Sequence, residues 1–153
     1  MMITEKELIA KYGTPNKDGK GYIVPITLPY PMYYDGKKVN KIRCHKLVAD
    51  KLLAIFNDIL EFYGQDAISD LKIDDYGGCF NYRLMRGGAK LSVHSWGCAI
   101  DLNPGRNLLK ETSKTARFAR MEYKPMIDIF YKHGFESMGR EKNYDWMHFQ
   151  VKD

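Results

Sequence analysis

From Lys46 to Tyr63 apolar residues recur three and four positions apart: Val48, Leu52, Ile55, Phe56, Ile59 and Phe62. That spacing gathers them on one face of a helix. Gly64 suits the position just after its last turn, so the pattern predicts the main core helix. A shorter helical run holds Met126, Ile127, Ile129 and Phe130, with Pro125 in its first turn and His133-Gly134 at its end. Thr4 and Glu7 form a capping-box pair, which predicts a short helix through Lys11 stopped by Gly13 and Pro15. The period changes to two in Cys98–Asn103. A strand there buries Cys98, Ile100 and Leu102 and presents Asp101 on the opposite face. Trp146–Val151 reads as a final strand.

Between these elements the punctuation is clear. Gly13–Gly21 is a loop. Tyr22–Tyr34 carries Pro25, Pro29 and Pro31 among apolar residues, which excludes a helix or a central strand and predicts an extended segment across the domain. Asp35-Gly36 is a turn signal. Asp74–Gly88 is turn-rich, with CFNYRLM as a short strand inside it. Leu108–Glu122 fits either a partial helix or a loop. Neither internal repeats nor a linker interrupt the 153 residues. The expectation is one α+β domain over residues 1–153, with 1–40 an N-terminal helix and a proline-rich extended segment. A small antiparallel sheet would carry the site and pack against the helices.

Composition narrows the class. Hydrophobic residues make up 44% and charged residues 28%, ordinary for a globular domain. No apolar run approaches the roughly 20 residues of a membrane span. The start, MMITEKELIAKYG, lacks the apolar core of a secretory signal, so the expectation is a chain made in the cytoplasm. Cys44, Cys79 and Cys98 are odd in number and form no CxxC, which argues against a disulfide framework and a thiolate metal site. A net charge of +5 is mild support for an anionic partner. Lys37, Lys38, Lys41 and Arg43 form the densest basic stretch and read as a solvated loop.

The densest chemistry lies in LSVHSWGCAIDLN, Leu91–Asn103, which holds Ser92, His94, Gly97 and Asp101. YDWMHFQV near the other end holds Asp145 and His148. Zinc accepts imidazole nitrogen and carboxylate oxygen, and a catalytic zinc keeps three protein ligands and one open position for water. His94, Asp101 and His148 supply such a set. Asp145 is left over, close enough in sequence to His148 to handle the proton of a water. On a straight strand Asp145 and His148 face opposite ways, so Asp145 belongs in the turn before it. His45 and His133 have no such context and read as structural. Trp96 and Trp146 flank the ligands and suit either a peptide pocket or core packing of the site walls.

The run Ser-x-His-x-x-Gly-x-Ala-x-Asp from Ser92 to Asp101, followed by Asp-x-x-His from Asp145 to His148, resembles the zinc peptidases that cut bacterial cell-wall peptides. That family holds D-alanyl-D-alanine carboxypeptidases, dipeptidases and the L-alanyl-D-glutamate endopeptidases of phage lysins. The resemblance implies Zn2+ held by His94, Asp101 and His148, with Asp145 as catalytic base. It also implies an arginine before the motif that holds a substrate carboxylate or oxyanion. Arg83 is favoured over Arg86, the two facing different ways in a strand. Ser92 either binds substrate or fixes the His94 loop. Many carboxypeptidase and dipeptidase relatives carry Glu at the position of Asp145, and aspartate is more like the endolysin branch.

The expected function is therefore a monomeric zinc peptidase acting on peptidoglycan stem peptides, an L-alanyl-D-glutamate endopeptidase released by holin-type lysis. The alternatives are a D-alanyl-D-alanine carboxypeptidase, or a non-catalytic basic domain that binds wall polymer or nucleic acid. Neither a nucleic-acid partner nor a membrane span is expected.

Overall fold

The structure, a computed structural model, describes residues 2–153. In chain order it contains α1 (Glu5–Tyr12), β1 (Ile23–Tyr34), β2 (Lys37–His45), α2 (Ala49–Asp70), β3 (Tyr76–Gly78), β4 (Ala99–Leu102), α3 (Lys124–Lys132), β5 (Phe135–Ser137), α4 (Met138–Lys142) and β6 (His148–Val151). The fold is α+β. Among the described residues there are two antiparallel sheets, the β1–β2 hairpin and a four-stranded sheet in the order β3–β4–β6–β5. Among the described residues no helix is long and apolar enough to cross a membrane.

The hairpin shows how proline and a strand coexist. Ile26, Leu28, Tyr30 and Met32 are buried at alternate positions, while Pro25, Pro29 and Pro31 fall on the other face. The pairing register breaks between Thr27 and Met32, where two of the prolines have no N–H to offer. A two-stranded ribbon has only edges, so the missing donors cost little. Tyr34 pairs with Lys37, and Asp35 and Gly36 both have positive φ, the two-residue turn that matches strand twist. The basic stretch 37–43 is thus a strand, not a loop, and its lysines are all exposed.

On α2, Leu52, Ile55, Phe56 and Ile59 are fully buried. Each contributes roughly 1.5–3 kcal/mol by leaving water. Gly64 breaks the helix with φ 75° and ψ 159°, as its sequence position predicts, but a further turn follows to Asp70. Phe62 departs from the predicted stripe. It is 62% exposed and packs edge-on to Tyr63, the neighbour that turns to the core and bonds the Glu122 carbonyl. The capping box at Thr4 and Glu7 forms with both of its hydrogen bonds. All three cysteines are buried free thiols.

His45, at the end of β2, is 1% exposed. Its Nε2 donates to the Tyr12 carbonyl at 2.9 Å, and its Nδ1 accepts from the Leu47 N–H at 3.0 Å. Both nitrogens are satisfied by the neutral ring. Burial lowers its pKa below the ordinary imidazole value, outweighing the Tyr12 hydrogen bond. A histidine whose pKa falls on folding stabilises the protein fully above the unfolded value of ~6.5, and that contribution is lost as pH falls below it. Between pH 7 and pH 5 His45 therefore lowers the melting temperature of the metal-free protein, against the opposite contribution of His148, whose pKa is raised. The change in melting temperature from pH 7 to pH 5 should be less negative in His45→Gln; an unchanged difference would place the pH sensitivity elsewhere.

Candidate metal centre

Asp101 on β4 and His148 on β6 are direct cross-strand partners. Their side chains meet on one face of the sheet, where opposed residues are closest. His94 comes from the 3-10 turn Val93–Trp96 immediately before β4. Gly97 ends that turn with φ 69°. A Cβ there would sit 2.7 Å from the His45 backbone nitrogen, so no larger residue permits this close approach. The Ser92 hydroxyl accepts from the His94 N–H at 3.2 Å and caps the turn.

His94 Nε2 lies 3.2 Å from Asp101 Oδ2, and His148 Nδ1 lies 3.2 Å from Asp101 Oδ1. One atom from each of the three residues falls within 4.8 Å of the others. Bonds of about 2.0–2.1 Å to a tetrahedral ion set ligand atoms about 3.3 Å apart, so the spacing suits a shared cation. The outer nitrogens fix the tautomers. His94 Nδ1 lies 2.8 Å from the Cys79 carbonyl, which can only accept. His148 Nε2 lies 2.8 Å from Gln150 Oε1. With those protons committed, neutral imidazoles aim lone pairs at a carboxylate. His94 Nε2 and Asp101 Oδ1 are buried with no hydrogen-bond partner, a loss of about 1–3 kcal/mol each unless a cation lies between them. The donor set therefore fits a divalent ion such as zinc.

The electrostatics point the same way. Burial works against the Asp101 anion, but His94 and His148 overcome it and hold the carboxyl below the usual range. Burial also works against a charged His148, yet the facing Asp101, with Asp145 behind it, raises its pKa. A field that attracts a proton this strongly attracts a metal cation.

Asp145 lies in the turn before β6, as the alternation argument requires. Its φ is 53°, its N–H donates to the Leu109 carbonyl at 2.8 Å, and its carbonyl accepts from the His148 N–H at 3.0 Å. Its Oδ2 stands 4.0 Å from His148 Nδ1, beside the cluster and outside it. Burial raises its pKa, and the Asp101 carboxylate adds to the rise against His148, His94 and Arg86.

Two cavities meet at this point. One, about 520 Å³, is lined by Ser92, Leu109, Lys110, Tyr144 and Asp145. The other, about 540 Å³, runs towards β3 and the hairpin tip. His94, Asp101, Arg83 and Arg86 border both. The expected strand at CFNYRLM is absent. Its backbone instead bonds irregularly to the motif loop, with Asn81 N–H to the His94 carbonyl and Ser92 N–H to the Arg83 carbonyl. With no strand alternation the two arginines reach the same cleft, so facing does not separate them. The Arg83 guanidinium turns to the Leu84 carbonyl at 3.2 Å. Trp96 is core, its indole N–H on the Gly13 carbonyl. Trp146 packs over Gly139 and bonds Asn143.

No motif marks Gln150 in the sequence, although a signal exists. Residues two apart on a strand share a face, so an acceptor two after a strand histidine can hold its far nitrogen. Gln150→Leu removes that acceptor. Zinc affinity in a chelator-competition titration is expected to fall about 10–100-fold, and the metal-free melting temperature to fall as well, because the buried Nε2–H loses its partner. Unaltered affinity would mean that the His148 ring is held by something else.

Residues 86–151 match a protein family described as D-alanyl-D-alanine carboxypeptidase. The matched stretch contains Ser92, His94, Asp101, Asp145 and His148, and Arg83 lies outside it. No curated protein and no solved structure matches the chain.

Proposed function

Starting from the match of residues 86–151 to a peptidase family, we propose that this chain is a zinc-dependent peptidoglycan peptidase that cuts the L-alanyl-D-glutamate bond of stem peptides. His94, Asp101 and His148 would hold the zinc. When bound there, zinc supplies a Lewis acid for the scissile carbonyl and lowers the pKa of water to roughly 7. Asp145 takes a proton from the attacking water and returns it to the departing amine. A C–O bond forms at the carbonyl carbon, the C–N bond breaks, and the products are a carboxylate and a free amine. Arg83 and Arg86, permanently charged donors at the junction of the two cavities, suit the oxyanion or a substrate carboxylate. Exposed Lys110 adds positive charge on the Asp145 side.

The observation that favours internal cleavage is that two cavities, of about 520 and 540 Å³, border the ligands His94 and Asp101. An exopeptidase that removes one terminal residue needs only a short pocket beyond the scissile bond. Aspartate at 145 agrees with the endolysin branch. The family's description favours the second reading, a D-alanyl-D-alanine carboxypeptidase. In the first reading the enzyme reaches the wall through holin-type lysis.

A muropeptide digest followed by mass spectrometry separates the two. The expected products end in L-alanine on one side and begin with D-glutamate on the other, and chelation stops their formation. Loss of terminal D-alanine alone would establish the carboxypeptidase reading instead.

A further inference from the structure

We infer that the second cavity is the acyl-side arm of the cleft and binds the amino sugar that carries the peptide. The inference rests on the endopeptidase reading above. Its first support is the position of Asp145, which lines the first cavity and not the second. The departing amine receives its proton from Asp145, so the amine product occupies the first cavity. The acyl product is left with the second.

Size supplies the next step. On the acyl side of an L-alanyl-D-glutamate bond stands a single alanyl residue with one methyl group. Its nitrogen is acylated by the lactyl ether of the wall sugar. A cavity of about 540 Å³ lies in the ~300–1,000 Å³ class that holds a drug-sized ligand, far more than one alanine fills. Whatever else occupies this arm must precede the alanine, and that is the sugar.

The walls have the chemistry for it. Tyr34, at the hairpin tip, is 51% exposed, and its ring lies 6.0 Å from that of Tyr76. Phe80 and Asn81 continue the wall, and the backbone of Gly77, beside Asp101, and of Gly78 lines it too. Tyrosine rings present an apolar face to the C–H face of a pyranose and a hydroxyl to its polar edge. The Asn81 carboxamide and the glycine backbone offer donors and acceptors to an N-acetyl group. The hairpin, which contributes nothing to the metal cluster, acquires a role as the outer wall of this arm.

The test compares two substrates that share the scissile bond, the disaccharide-tetrapeptide and the lactyl-tetrapeptide made from it by removing the sugars. Wild-type enzyme is expected to cleave the sugar-bearing substrate with kcat/KM about five- to tenfold higher. Tyr34→Ala is expected to bring that ratio close to one, and Asn81→Ala to lower it. Equal rates on both substrates in the wild type, or an undiminished ratio in both variants, would overturn the inference and leave the endopeptidase reading standing. If neither substrate is cut between L-alanine and D-glutamate, both fail together.

Discussion

Asp145→Asn is expected to lower peptide cleavage by about 10²–10⁴-fold, the range that a positioned acid–base contributes, while zinc still binds with near wild-type affinity. Asparagine is the informative replacement because the backbone at this position has φ 53°. Asparagine tolerates that left-handed conformation, whereas alanine does not adopt it readily. Asp145→Ala would mix the loss of the carboxylate with backbone strain beside His148, whose N–H bonds the Asp145 carbonyl. The carboxylate stands 4.0 Å from His148 Nδ1, and the three-residue cluster forms without it. Zinc titration and muropeptide kinetics on the same preparation decide the matter. An Asp145→Asn enzyme with full activity would remove Asp145 from the chemistry.

His148→Ala should have the larger effect on metal. It deletes one of three ligands and the cross-strand partner of Asp101, so zinc affinity should fall by more than the ~10–100-fold typical of losing an outer-shell partner. Activity should disappear at zinc concentrations that saturate the wild type. The residual pair, His94 and Asp101, has too few donors for a closed site. Chelator competition gives the affinity, and elemental analysis of the purified protein gives the stoichiometry. One tightly held zinc per chain in His148→Ala would show that the ion sits elsewhere.

Much of this arrangement was legible in the chain before any coordinates. The alternation in Cys98–Asn103 put Asp101 on the open face, and the structure places it there. The same period-two logic demanded a turn at Asp145. Three features resisted. The hairpin was hidden because proline disfavours strands, and only the two-edged ribbon makes Pro25, Pro29 and Pro31 acceptable. CFNYRLM looked like a strand by composition, yet its hydrogen bonds go to the irregular motif loop, which no local pattern encodes. Phe62 fits the helical stripe, but its neighbour Tyr63 takes the contacts to the core and to Glu122, a tertiary fact. Outer-shell groups such as the Cys79 carbonyl are invisible for a related reason, since any residue type can supply a backbone oxygen.

The cross-strand pairing of Asp101 with His148 has a consequence for the life of the protein in a cell. The proposed ion would clip two distant points of the chain together, enclosing α3, β5, α4 and the long segment before them. Separating β4 from β6, and so unfolding that region, then requires releasing the ion. At 100 times the dissociation constant, that linkage adds about 2.7 kcal/mol against unfolding. A shortage of zinc would thus shorten the half-life of the polypeptide as well as silence it, and a variant devoid of activity but able to hold metal would persist as long as the parent.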